Sequence, residues 1–337
     1  MRKPALPELA PSRPSETYTR GGRLTFRPQM TQMQLENRHE RLCPVCGSSP
    51  EAAKIYFEEH IDTSKLNEFS FASRKAPEYL CYQMVQCHRC DLVYVDRPPS
   101  QSALAEVYHA AEYDSSEEAA DVARAYAGIV SGLAKKRPLK DALEIGTGTG
   151  VFLDVLKSFG CENVAGIEPS SAAIAAAPEY RRPWIREGIF RESDYAPESF
   201  DLICCFMTLE HVREPKEIAS SVMNLLRPGG AFVTVTHDYR SPVNKLMGKR
   251  SPIIDIEHMQ LFSQRSIGTL FDSTGYVDVT VRPFANRYAL RYWTRLAPLS
   301  PRLKKMASSL LSTLGIDGLK LSVNVGNTAA IGFKPTR

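Results

Sequence analysis

After Pro138, short apolar runs alternate with amphipathic stretches. The runs are Ala142–Ile145, Val164–Ile167, Trp184–Ile185, Leu202–Phe206 and Ala231–Val235; between them lie Phe152–Phe159, Ser171–Ala177 and Pro215–Leu226. Runs too short for buried helices read as strands, and the stretches between them carry a helical period. Alternation of this kind predicts βαβ units, a parallel sheet covered by helices, and hence an α/β fold. Upstream, residues 101–135 read as helix: Leu104, Val107 and Tyr108 share one face, and Val122, Tyr126, Ile129, Val130 and Leu133 share another. Downstream, Ser263–Thr274 predicts a helix closed by Gly275, Tyr276–Val281 alternates as a strand, and Thr328–Phe333 reads as a final strand. Residues 284–321 interrupt this order as a helical insertion rich in Arg, Tyr and Leu. No fixed-period repeat is present.

The N-terminal part follows no such pattern. Residues 1–38 carry Pro4, Pro7, Pro11, Pro14 and Pro28 with almost no apolar period, which predicts a disordered arm. A compact cysteine-bearing module follows over 39–98, and the paired prolines of Arg97–Ser100 end it. The expected organisation is therefore an arm at 1–38, a metal-binding module at 39–98, a helical linker or cap at 99–138, and the α/β domain over 139–337.

Composition narrows the class. At 43% hydrophobic residues over 337 positions, the chain can build a core, which excludes a wholly disordered protein. The longest apolar runs, such as Leu202–Met207, fall far short of the roughly 18 residues that span a bilayer. The first residues lack an apolar signal core, so the cytoplasm is the expected location. Lys and Arg number 42 against 38 Asp and Glu, and a net charge of +4 gives no nucleic-acid footprint. Eight cysteines are too few for a disulfide scaffold in so long a chain, so their spacing carries the information.

Two C-x-x-C pairs stand out, Cys43-Pro-Val-Cys46 and Cys87-His-Arg-Cys90. Two such knuckles bring four thiolates to a tetrahedron, the arrangement zinc prefers. Gly47 after the first knuckle lets backbone N–H groups turn toward sulfur; Asp91 holds the matching position after the second. A site closed by four cysteines leaves no open coordination position, so its role is structural. Cys81, Cys161, Cys204 and Cys205 read as ordinary buried thiols.

The predicted strand ending at Ile145 runs into Gly146-Thr147-Gly148-Thr149-Gly150 and then a helix. A dinucleotide fingerprint would place its third glycine at 151, where Val stands, and no Lys follows as a phosphate loop requires. The spacing suits close backbone approach to a ligand without a pyrophosphate. Glu168 closes the next strand, in Gly166-Ile167-Glu168-Pro169, where an acidic side chain can accept both hydroxyls of a ribose. Then come Ser199-Phe200-Asp201-Leu202-Ile203, Leu209-Glu210-His211-Val212 and Leu226-Arg227-Pro228-Gly229-Gly230.

This ordered set, spanning about residues 139–238, resembles class I S-adenosylmethionine-dependent methyltransferases. The resemblance implies a Rossmann-like seven-stranded sheet with a helical cap. It implies that Glu144, Gly146, Thr147, Gly148 and Gly150 face the methionine part and ribose of S-adenosylmethionine, and that Glu168 holds the ribose hydroxyls. Pro169 and Ser170 would then lie beside the adenine, and Gly188, Ile189 and Phe190 on its other side. Phe206 to Glu210, with Phe206 and Met207 foremost, would line the pocket near the sulfonium. Adding the cysteine module, the run Ser100–Tyr113 and Ile256-Glu257-His258-Met259-Gln260-Leu261-Phe262-Ser263, the chain resembles bacterial methyltransferases with an N-terminal zinc-binding module. Some of these act on nucleotide-linked deoxysugars or surface polysaccharide precursors. The expected reaction is methyl transfer to a small-molecule acceptor, with a sugar or sugar nucleotide as the candidate, by in-line displacement. A cofactor-binding regulatory or assembly protein is the alternative.

A hydroxyl or enolisable carbon acceptor must lose a proton, so a base is sought among the histidines. His237, just past the fifth strand, ranks first; His258, in the loop before a later helix, second; His211, third. Some quinone-pathway O-methyltransferases hold a divalent cation with a Glu three residues before the Glu-His pair; Met207 stands there, so no catalytic metal is expected. In the insertion, Asn286–Arg295 interleaves three arginines with three aromatics. It could grip an anionic acceptor, rest on a membrane as an amphipathic helix, or be a covering helix with a solvated basic face.

Overall fold

The computed structural model describes residues 38–67, 69–72, 78–113, 116–297 and 299–336; the proline-bearing arm expected over 1–38 lies, apart from Arg38, outside the described residues. Two sheets organise the chain. The larger has seven strands: β4 (Asp141–Ile145), β5 (Asn163–Glu168), β6 (Ile185–Glu187), β7 (Phe200–Phe206), β8 (Leu226–His237), β10 (Val277–Ala289) and β11 (Lys320–Phe333). Their order across the sheet is β10-β11-β8-β7-β4-β5-β6. β6, β5, β4, β7 and β8 run parallel, whereas β11 joins β8 and β10 antiparallel. Parallel strands covered on both faces need continuous apolar sequence, and Leu202, Ile203, Cys204 and Cys205 are all fully buried.

The helices are α1 (Gln101–Ala110), α2 (Ser116–Ala134), α3 (Val151–Ser158), α4 (Ser171–Ala176), α5 (Pro215–Leu225), α6 (Pro242–Met247), α7 (Gln264–Ser273), α8 (Leu290–Leu296) and α9 (Pro301–Thr313). Serine hydroxyls begin several of them: Ser100, Ser170, Ser241, Ser263 and Ser300 each accept a backbone N–H of the first turn, satisfying a donor with no intrahelical partner. Gly275 takes φ +87 just after α7, the left-handed geometry that a helix end with glycine exploits.

The smaller sheet contains β1 (Ala53–Phe57), β2 (Met84–Cys87), β3 (Val93–Val95) and β9 (Gln260–Leu261) in that order. The first three come from the cysteine module, but the fourth comes from beyond β8. Buried Arg41 reinforces this seam: its Nε donates to Val95 O at 2.9 Å and its Nη2 to Met259 O at 2.9 Å. The module and the α/β domain thus share a sheet, although their sequence patterns differ.

Two expectations shift in detail. The stretch 101–135 is two helices, broken after Ala110, where the Ser170 hydroxyl donates to Ala111 O and docks the break onto α4. The insertion over 284–321 is not helical throughout. Its ends continue the β10–β11 ladder as far as Ala289 opposite Lys320, because neighbouring antiparallel strands satisfy one another's backbone groups. Only α8 and α9 are helical within it.

Candidate active site and metal centre

The two cysteine knuckles meet. Cys43 Sγ lies 3.4 Å from Cys90 Sγ, Cys46 Sγ lies 3.5 Å from Cys87 Sγ, and all four sulfurs fall within 4.8 Å of one another. Zinc–sulfur bonds of about 2.3 Å set tetrahedral sulfur separations near 3.8 Å, so this donor set fits the ion. The knuckles are alike in backbone: Gly47 N–H donates to Cys43 O and Asp91 N–H to Cys87 O, and both residues have left-handed φ, +71 and +70. Asp91 therefore does not break the pattern. Its carboxylate accepts from Gln86 Nε2 at 2.8 Å, Tyr239 Oη at 2.9 Å and the Arg240 guanidinium. Those contacts offset a conformation that costs most residues free energy, and they tie the knuckle to the segment after β8.

The glycine loop follows β4 at the carboxyl edge of the sheet, where the strand order reverses between β5 and β7. Gly146 has φ +77, and a Cβ there would come within 2.2 Å of Thr208 Oγ1. Gly148 donates its N–H to Glu168 Oε2 at 2.7 Å, and Ser170 N–H donates to Glu168 Oε1 at 2.9 Å. These bonds aim the carboxylate into the crevice while burial pushes its pKa up. Glu144 accepts from Thr147 Oγ1, and burial raises its carboxyl to about 8.

One cavity of about 1000 Å³ runs along this edge. Glu144, Gly146, Thr147, Gly148, Glu168, Pro169, Ser170, Gly188, Ile189, Phe190, Phe206 and Met207 all line it, as do His211, His237 and His258. Gly150 is not among the lining residues; it begins α3 with φ +70, and a Cβ there would come within 3.1 Å of the Ile185 side chain. Leu209 and Glu210 also turn away from the cavity and are fully buried, which narrows the expected Phe206–Glu210 lining to Phe206, Met207 and Thr208. Glu210 instead accepts His237 N–H through Oε1 at 2.6 Å, while its backbone carbonyl accepts Met259 N–H at 2.7 Å. Burial pushes the Glu210 carboxyl up to about 8.

The three histidines converge. Ring centroids of His211 and His258 are 4.8 Å apart, and those of His237 and His258 5.5 Å. In each ring Nδ1 faces an oxygen: Glu257 O at 3.3 Å for His211, Asn327 Oδ1 at 3.0 Å for His237, and Ile253 O at 2.8 Å for His258. A carbonyl oxygen can only accept, so Nδ1 carries the proton, and in His237 Nε2 keeps its lone pair; His211 also bonds to the Met207 backbone. Burial lowers His211 and His237 to about 4, so both are neutral at pH 7. His211, Glu257 and His258 also bring ligand-type atoms within 4.8 Å of one another, a donor set compatible with a divalent cation.

Tyr108, Glu257 and Asn327 belong to this site but were not among the sequence-derived site residues. Tyr108 reaches it from α1, donating its hydroxyl to Glu257 O at 3.1 Å. Glu257 adjoins His258 in a segment the sequence had marked, so a signal existed. Asn327 had none, since only the β8–β11 register sets it opposite His237.

The fold and this loop geometry define a Rossmann-like S-adenosylmethionine-dependent methyltransferase domain. The methyltransferase domain family matches residues 92–281, more than half of the sequence, and the chain belongs to it. Similar curated proteins include the ubiquinone biosynthesis O-methyltransferase of Actinobacillus pleuropneumoniae serotype 7, 31% identical over 121 residues that cover 32% of this chain and 51% of that protein. The mitochondrial ubiquinone biosynthesis O-methyltransferase of Schizosaccharomyces pombe is 28% identical over 106 residues, covering 29% of this chain and 38% of its own length. The chain spans about half the length, or less, of these two relatives. Among solved structures, an S-adenosylmethionine-dependent methyltransferase from Archaeoglobus fulgidus is similar with a TM-score of 0.44 and 15% identity, covering 63% of this chain and 94% of that one. A possible histamine N-methyltransferase from Thermotoga maritima is similar with a TM-score of 0.42 and 18% identity, covering 64% of this chain and 91% of that one.

Proposed function

We propose that this chain transfers the methyl group of S-adenosylmethionine to a hydroxyl of a small-molecule acceptor, with a pocket histidine taking the proton. The observation that carries this reading is the set of three inward histidines, each with Nδ1–H donated to an oxygen, in the cavity that also holds the glycine loop and Glu168. The sulfonium donor supplies a methyl carbon already activated for displacement. What remains for the protein is to hold acceptor and methyl in line and accept one proton. Gly146 and Gly148 allow close backbone approach to the donor, and Glu168, held by two backbone N–H groups, accepts its ribose hydroxyls. As the oxygen–carbon bond forms and the carbon–sulfur bond breaks, the hydroxyl proton passes to His237 Nε2. Asn327 Oδ1 fixes the ring for that task from the other side. His258 and His211 stand next to His237 and complete the wall.

A sugar or sugar-nucleotide hydroxyl fits this chemistry, as does an aromatic hydroxyl like those handled by quinone-pathway O-methyltransferases. We also assign Cys43, Cys46, Cys87 and Cys90 to a structural zinc. The test is release of S-adenosylhomocysteine against a panel of sugar nucleotides and catechols. Turnover should appear on a hydroxyl acceptor, and His237→Ala should lower kcat by about 10²-fold or more while leaving donor affinity intact. Full kcat in His237→Ala, His258→Ala and His211→Ala alike would remove the base from the mechanism. Donor binding without turnover on any acceptor would favour a regulatory role.

A further inference from the structure

The segment 284–321 is strongly basic. It holds seven basic residues and one acidic residue, Asp317, a local net charge of +6; the rest of the chain is net −2. Among the described residues, the same segment carries an exposed apolar face. On α9, Leu303, Met306 and Leu310 recur at helical spacing, continue into Leu314, and are 50–67% exposed. Ala307 and Leu311, on the adjoining face, are partly covered, and α9 packs against α8. Leu299, Leu319 and Leu321 in the same segment are also exposed. Soluble surfaces scatter such residues singly; a row of them with basic neighbours marks an interaction site.

The unit is well tied to the fold. Leu290 N–H donates to Leu319 O and Arg291 N–H to Asp317 O, closing the loop after α9 onto the start of α8. Trp293 Nε1 donates to Leu321 O at 2.9 Å. Tyr292, Trp293 and Ala297 of this unit line the active-site cavity. On another part of the rim, α6 contributes Val243 and Met247 to the lining, while exposing Leu246 at 89% beside Lys245, Lys249 and Arg250.

We propose that the α8–α9 unit seats this protein on an anionic phospholipid surface, with Leu303, Met306, Leu310 and Leu314 entering the interface and the exposed Arg302 and Lys305 meeting the headgroups. Two observations select this occupant. A second copy would set one +6 segment against another, and the repulsion opposes pairing through this face. A phosphate-bearing polymer would satisfy the charge but leave the Leu and Met stripe in water. A lipid surface satisfies both at once. The inference stands whatever the acceptor is, and it is independent of the methyl-transfer reading.

Vesicle flotation of the full chain tests it, using phosphatidylcholine vesicles with and without phosphatidylglycerol. The protein should float with the anionic vesicles, far less with phosphatidylcholine alone, and the bound fraction should fall as salt rises. Met306→Ser with Leu310→Ser should weaken binding by about tenfold or more, given the apolar surface lost, and Arg302→Glu with Lys305→Glu should weaken it most at low salt. All four side chains are exposed, so the variants should melt like the parent, which calorimetry checks. Absence of flotation by folded protein would overturn the proposal, as would flotation unaffected by either variant. A solution dimer that Met306→Ser with Leu310→Ser dissociates would also overturn it, by assigning the face to a second copy.

Discussion

The ring of His237 donates Nδ1–H to Asn327 Oδ1 at 3.0 Å, across the antiparallel ladder in which these two residues are directly paired. One register thus fixes both the tautomer and the orientation of the histidine proposed as the base. A one-residue slip of β11 would turn Asn327 to the other face of the sheet.

The pH profile follows from this pair. His237 is held at about 4 by burial, which outweighs the upward effect of its hydrogen bond to Asn327. kcat/KM should therefore show no acid limb between pH 6 and 7. In Asn327→Asp a carboxylate beside the ring favours the imidazolium, so an acid limb should move up toward the ordinary histidine range, about pH 6.5. An unchanged profile in that variant would exclude His237 as the base.

Glu168 offers a cleaner binding test. Glu168→Ala should weaken S-adenosylmethionine binding by about tenfold or more, through loss of charge-assisted hydrogen bonds. The backbone N–H groups of Gly148 and Ser170 can then turn to water. Calorimetric titration reads the affinity directly, and parent-like affinity would remove Glu168 from the ribose.

Stability should carry the signature of Glu210. Its folded pKa of about 8 lies above its ordinary value of 4.5, so the folded state keeps a proton that the unfolded chain releases. This contribution is complete below pH 4.5 and is lost as pH rises through 8. Glu210→Gln keeps an oxygen for His237 N–H and cannot ionise. Its Tm relative to the parent should rise between pH 5 and pH 8 by about 5 °C or more, and Glu144, which shifts the same way, leaves part of the slope in both proteins.

Metal removal should reach the active site. Cys87→Ser or chelation should release one zinc per chain and lower Tm, because the knuckle, β3 and β9 share one sheet and Met259 is tied to both Arg41 and Glu210. Catalysis should fall with it, since His258 immediately precedes Met259. Asp91→Ala keeps all four thiols and should retain zinc while costing about 1–3 kcal/mol, as Tyr239 and Arg240 lose their acceptor. Metal analysis with calorimetry separates the two cases.

Much of the fold was legible because its determinants are local. β4 and β7 announced themselves as apolar runs too short for helices, and the glycine loop as a strand followed by closely spaced glycines. The knuckles were legible for the same reason, since each is a turn of four residues. The insertion differs for the opposite reason: residues 284–289, read as the start of a helical insertion, become strand only because residues 320–327 lie beside them. Gly150 begins α3 with φ +70, a placement that the glycine spacing alone does not set.

The sequence by itself determined the α/β class, the glycine loop with Glu168, and the four-cysteine donor set, all of which rest on periods and spacings within a few residues. Tertiary structure alone decided that His211, His237 and His258 share one wall, that Asn327 orients His237, and that Asp91 anchors the second cysteine knuckle to Tyr239 and Arg240. Those relationships depend on strand register and on burial among distant segments. The same burial sets His211 and His237 neutral, a property of the surrounding protein that no imidazole carries on its own.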